Sequence, residues 1–159
     1  MNLPENDYQI LRLTDDFYNM YPNPPYIEIL KKKKRAYNCL LFQTHYDYFI
    51  CIPYRTEIRH DYAFHFKNTM RARKHKSGLD YSKIVIITST DYISSTGAII
   101  DKDEFNETMI NLDRIKAEAL KYVEDYTAHM KGVRGLHKKA FERRYGFSPL
   151  KYFHKELGI

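Results

Sequence analysis

The sequence predicts an α+β fold: a compact, strongly bent antiparallel sheet or barrel with C-terminal helices packed on it. Three observations carry this expectation. Apolar, β-branched and aromatic runs of strand length crowd the chain up to residue 100. From Asp101 onward the apolar period becomes that of a helix. Strands first and helices last is the order of an α+β domain, whereas a parallel sheet needs the two to alternate.

Taken in order, YQILRL (8–13) alternates around Ile10, and Thr14, Asp15 and Asp16 cap a short helix through Tyr21. Pro22-Asn23-Pro24-Pro25 ends that helix. AYNCLLFQT (36–44), the turn residues His45-Tyr46-Asp47 and YFICI (48–52) form a hairpin, with Pro53 closing it. YAFHF (62–66) sets Tyr62, Phe64 and Phe66 on one face and Ala63 and His65 on the other, a third strand. KIVIIT (83–88) reads as a buried strand and GAII (97–100) as a further short one. Asp101 and Glu104 have the spacing of a capping box. Apolar residues then recur at helical spacing from Phe105 to Tyr126, with Asn111 placed to split the run and Gly132 to stop it. A helix follows over 135–145, and Ser148-Pro149 opens a last one with proline at its first position. With no repeat or low-complexity linker, residues 1–159 read as one domain.

Charge is segregated along the chain. The formal net charge is +6, but residues 1–30, 31–83, 84–130 and 131–159 carry −4, +9, −5 and +6. Two basic blocks in so short a chain favour a polyanionic partner. The chain has 15 Tyr and 9 Phe and no Trp, so most of its rings carry a hydroxyl and can be half buried or stack on bases. No apolar run is long enough to span a membrane, and the first residues, MNLPENDYQI, have no leader pattern, so the expected location is the cytoplasm. Cys39 and Cys51 are too few for a disulfide framework or a zinc site and read as buried thiols.

Common enzyme motifs are missing: GxGxxG, GxxxxGK[ST], GxSxG and HExxH do not occur. The seven histidines have no ligand spacing, so neither metal nor cofactor is expected. Candidate chemistry concentrates in 53–83, PYRTEIRHDYAFHFKNTMRARKHKSGLDYSK. Arg55, Thr56, Arg59 and His60 emerge where a strand ends, the usual place for active groups. A cationic loop follows with Lys67, Arg71, Arg73, Lys74, His75, Lys76, Ser77 and Lys83, to which Gly78 lends backbone freedom, a clamp suited to phosphates. Histidine is the residue type suited to moving protons near neutral pH, which makes His60 and His75 candidates for proton transfer. Asp80 reads as holding its loop by bonding backbone amides. His65 reads as a packed or surface residue, and His129, His137 and His154 as solvated helix residues. RNA supplies its own nucleophile, the 2′-hydroxyl, so a basic site needs only to move protons and stabilise charge. Lys31, Lys32, Lys33 and Lys34 would grip the backbone, and Lys138, Lys139, Arg143 and Arg144 would make a second contact. A non-catalytic RNA-binding module and a domain docking an acidic protein fit the same charge blocks.

The order of these features resembles the endoribonuclease toxins of type III toxin–antitoxin systems, the ToxN/AbiQ family, and within it the CptN/TenpN branch. The resemblance covers almost the whole chain. Its carriers are 8–13, Lys34-Arg35-Ala36-Tyr37, YFICIPYRT (48–56), KHKSGLDYSKIVII (74–87) and FSPLKYFHKEL (147–157). It implies a barrel like that of the small toxin mRNA interferases and a metal-independent nuclease leaving 2′,3′-cyclic phosphate and 5′-hydroxyl ends. It also implies a phage-defence role and a repeat-encoded RNA pseudoknot antitoxin, which the toxin processes and then holds in a toxin–RNA hetero-oligomer. By position, the family's basic residue before the Ala-aromatic pair falls on Arg35, its hydroxyl pair on Arg55-Thr56 and its next basic residue on Arg59. Arginine replaces the first hydroxyl and the family's lysines, and it holds its proton too firmly to act as a base. Proton transfer would then fall to His60, His75 or Lys76, with Arg35, Arg55 and Arg59 as phosphate clamps.

Overall fold

A computed structural model describes residues 8–31 and 36–159. The elements are β1 (Tyr8–Leu13), α1 (Asp15–Met20), β2 (Cys39–Gln43), β3 (Phe49–Arg55), β4 (Ala63–His65), β5 (Gly78–Asp80), β6 (Val85–Ile87) and β7 (Ile93–Gly97). The helices α2 (Lys102–Ile110), α3 (Leu112–Met130), α4 (Lys138–Tyr145) and α5 (His154–Leu157) follow, so the chain is α+β. One antiparallel sheet runs β4-β5-β3-β2-β1-β7, with β6 added beside β3.

The sheet is open, which corrects the expected barrel: among the described residues β4 and β7 are unpaired edges. Closure needs edge strands long enough to meet. β4 has three residues, and β7 reads ISSTG with its last three residues exposed.

The middle of the sheet is covered on both faces, so β2 and β3 are buried without alternation. Cys39, Cys51, Pro53 and Val85 share a small cavity with Phe17 and Tyr18 of α1. On the opposite face Lys116 of α3 lies over the Phe42 ring, and the Tyr54 hydroxyl meets Thr108 of α2. Ile115, Ala119 and Val123 give α3 its buried stripe. Each fully buried Ile, Leu or Phe here stabilises the fold by about 1.5–3 kcal/mol.

Several local expectations are revised. Pro53 does not end the hairpin; β3 continues to Arg55. The Tyr54 amide donates to Asn38 O, so the Pro53 nitrogen faces the other way, into the gap between β6, which pairs with 49–51, and β5, which pairs with 54–55. A missing N–H costs no ladder bond there. The strand expected over 97–100 lies at 93–97 instead, and Ile99 is exposed. Asp101 stands at the start of α2 without capping it, because its carboxylate is taken by Arg71. Gly78 gives close approach rather than freedom: a Cβ there would sit 2.0 Å from Phe64 O across the β4–β5 pair. The split at Asn111 and the Ser148 cap, which accepts from the Leu150 amide, follow the sequence.

Candidate functional site

β3 carries the candidate residues out of the core. Tyr54 is half buried, and Arg55 and Thr56 stand at the strand's end. The chain beyond is pinned by Ile58, which is fully buried and whose amide donates to Lys76 O. That bond ties the segment after β3 to the basic loop between β4 and β5. The loop is fastened in turn to α2: Glu107 accepts from the Lys67 and Asn68 amides, and Asp103 from the Met70 amide at 2.8 Å.

Between strand end, loop and α2 lies a cleft of 430 Å³ lined by Tyr37, Tyr54, Arg55, Thr56, Arg71 and Glu104, with Glu57 and Asp101 also on its walls. Arg71 bridges it. Its guanidinium donates to Thr56 Oγ1 at 3.3 Å and to Asp101 at 2.8 Å, and its Nε lies 3.6 Å from Glu104. Glu104 is 6% exposed, and burial raises its pKa although the Arg71 charge opposes this. Burial likewise raises the Tyr54 hydroxyl.

Arg55 also reaches a second cluster, built around a buried carboxylate. Its Nη1 is 2.6 Å from Asp80, whose side chain is fully buried. Asp80 Oδ1 accepts from the Ser82 amide at 2.9 Å and the Ser82 hydroxyl at 2.6 Å, and lies 3.2 Å from His60 Nε2. His60 Nδ1 accepts from the Tyr62 amide at 3.1 Å. The neutral ring therefore carries its hydrogen on Nε2, facing Asp80 and Ser82, and both nitrogens are occupied. That removes His60 as a ready proton acceptor. His75 differs: its Nδ1 pairs with Glu57 on the cleft wall, and the side chain is 44% exposed. Arg59, Lys76, Lys67, Arg73 and Lys74 are exposed.

Three expected RNA contacts are placed elsewhere. Ser77 is 1% exposed, and its hydroxyl has no partner among the described residues. Lys83 donates to Glu28 O and Phe147 O, and burial lowers its pKa. Arg144 pairs with Asp125 at 3.0 Å and lies over the Tyr122 and Tyr145 rings. The helix histidines also have partners: His129 accepts from the Leu136 amide and stacks on Phe141, His137 caps α4, and His154 bonds the Tyr126 hydroxyl. His65 donates to His60 O, and Lys31 lies over Tyr18. Lys138, Lys139 and Arg143 are exposed on α4, and Arg143 borders a second groove of 600 Å³ with Tyr62, Tyr81 and Tyr122. Lys32, Lys33, Lys34 and Arg35 lie outside the described residues.

Cys39 and Cys51 are free and buried, and the Cys39 contact together with burial pushes the Cys51 thiol up. Among the described residues no three His, Cys, Asp or Glu side chains are grouped as metal ligands, and no helix is long and apolar enough to cross a membrane. Sequence reasoning missed Glu104 as a site residue, because in DKDEFNE (101–107) it reads as one helix-start acid among several. No family model, curated protein or solved structure matches the chain.

Proposed function

We propose that this chain is a metal-independent endoribonuclease, the toxin of a type III toxin–antitoxin system, cleaving RNA by attack of the 2′-hydroxyl on the adjacent phosphate. The observation that carries the reading is the cleft itself. It joins Arg55 and Thr56 from the strand end to Arg71 from the basic loop, residues that the sequence separates by fifteen positions or more. Arginines there can hold a phosphate and its developing negative charge. His75, held through Nδ1 by Glu57, is suited to protonate the leaving 5′-oxygen through Nε2. In this reading Arg59, Lys67, Arg73, Lys74 and Lys76 grip the flanking backbone. Lys138, Lys139 and Arg143 meet the RNA antitoxin, a pseudoknot in a toxin–RNA hetero-oligomer, and the setting is cytoplasmic phage defence.

A second reading, a non-catalytic RNA-binding module, draws on one observation. Both cleft arginines are already engaged by carboxylates, Arg55 by Asp80 and Arg71 by Asp101. The purified chain, incubated with a long mixed-sequence transcript in excess EDTA, separates the two. Fragments with 2′,3′-cyclic phosphate and 5′-hydroxyl ends are expected. Bound but intact RNA supports the module, and cutting that needs magnesium overturns the metal-independent route.

A further inference from the structure

Four carboxylates stand along the first two turns of α2 and its N-terminal flank, and three of them are spent on the basic loop. Asp101 accepts from Arg71, Asp103 from the Met70 amide, and Glu107 from the Lys67 and Asn68 amides. Glu104 differs. It is buried and lines the cleft, yet among the described residues its nearest partner is Arg71 Nε, an ion pair at 3.6 Å and beyond hydrogen-bond distance. Among the described residues the fold thus keeps one carboxylate out of water with a single long ion pair and no hydrogen-bond donor to quench its basicity.

We propose that Glu104 is the general base of this cleft, taking the proton of the attacking 2′-hydroxyl. The proposal rests on the endoribonuclease reading above and names the group that reading left unassigned. The step balances as follows. The Glu104 carboxylate accepts the 2′-hydroxyl proton, O2′ forms a bond to phosphorus, and the P–O5′ bond breaks. Protonated His75 gives its proton to O5′, leaving a 2′,3′-cyclic phosphate and a 5′-hydroxyl. Glu104 then releases its proton and His75 regains one from solvent.

Arg71 is the other half of the arrangement. Its guanidinium spans Thr56, Asp101 and Glu104, so it sits between the base and the strand end where Arg55 would hold the phosphate. A carboxylate desolvated and weakly paired keeps affinity for a proton nearer the working pH than an exposed one does, which favours general-base catalysis. The groups facing Glu104 include Arg71 of the basic loop, Tyr54 of β3, and Asp101, Asp103 and Glu107 on its own element; the three acids act on it in the same direction as burial.

The test uses the full chain and the mixed-sequence transcript in EDTA, with single-turnover rates followed against pH. Wild type is expected to show an acid limb, the rate rising as one group loses a proton above the ordinary glutamate range. Glu104→Gln, which preserves size, is expected to slow cleavage about 100-fold or more and to flatten that limb while RNA binding stays unchanged. A Glu104→Gln rate within threefold of wild type, with the limb intact, overturns the proposal, as does a wild-type profile with no acid limb. A substrate with sulfur in place of the bridging 5′-oxygen at the mapped cut site distinguishes acid from base, because thiolate leaves without protonation. It should rescue His75→Ala and not Glu104→Gln; equal rescue of both overturns the assignment of Glu104 as base. If wild type leaves every transcript intact, the endoribonuclease reading itself has failed, an outcome distinct from all of these.

Discussion

Asp80 and Glu104 are both buried carboxylates facing an arginine, and they are built in opposite ways. Asp80 closes a cluster in which Arg55, Ser82 through both its amide and hydroxyl, and His60 surround one side chain. Glu104 has Arg71 at 3.6 Å and the cleft beside it. A carboxylate saturated with donors fixes geometry, whereas one left short of donors keeps chemistry available. The first aims Arg55; the second is the carboxylate to which the proposed proton transfer is assigned.

The largest effect should come from breaking the saturated side. Asp80→Ala leaves Arg55, His60 and both Ser82 donors facing a void, and an unfolding loss of about 3 kcal/mol or more is expected in a urea titration. A loss below 1 kcal/mol would mean that water replaces the carboxylate and that the cluster does not depend on it. Next, His60→Ala removes the acceptor for the Tyr62 amide and should cost about 1–2 kcal/mol. Under the proposed endoribonuclease reading, the folded variant should keep the wild-type pH profile of RNA cleavage; losing the acid limb would move the proposed proton chemistry to the Asp80 cluster. Smallest is Glu104→Gln, expected to change stability by less than about 1 kcal/mol near the usual glutamate range. Its sign is fixed by linkage. Because burial raises the Glu104 pKa, stability from its protonated form is complete below the unfolded value and is lost as pH rises through the folded value. Unfolding midpoints of wild type and variant should therefore diverge with rising pH, wild type falling behind; parallel curves would show Glu104 to be as solvated as an exposed acid.

Much of the fold was legible in local pattern. The 36–44 and 48–52 hairpin, the helix break at Asn111 and the Ser148-Pro149 start all depend on neighbours within a few positions. Pro53 misled because its tolerance depends on which side of β3 its nitrogen faces, and that depends on where β5 and β6 dock. Gly78 misled in the same way, since its constraint is the Phe64 carbonyl across the pair. At the site, Arg55 and Thr56 were visible as basic and hydroxyl residues at a strand end, and Arg71 as a member of the basic loop. Ser77, Lys83 and Arg144 looked equivalent to them by composition and turned out buried or paired.

By itself the sequence determined the α+β class, the segregated charge and the stretch in which to seek chemistry, because apolar period and charge are local properties of the chain. Only the tertiary structure decided that the sheet stays open, that His60 has both ring nitrogens engaged while His75 is held through Nδ1 alone among the described residues, and that Glu104 faces a cleft with Arg71 as its nearest partner among them. Burial and donor count are set by residues far apart in sequence, such as Arg71 against Glu104 and Asp80 against Arg55, and no reading of neighbours supplies them.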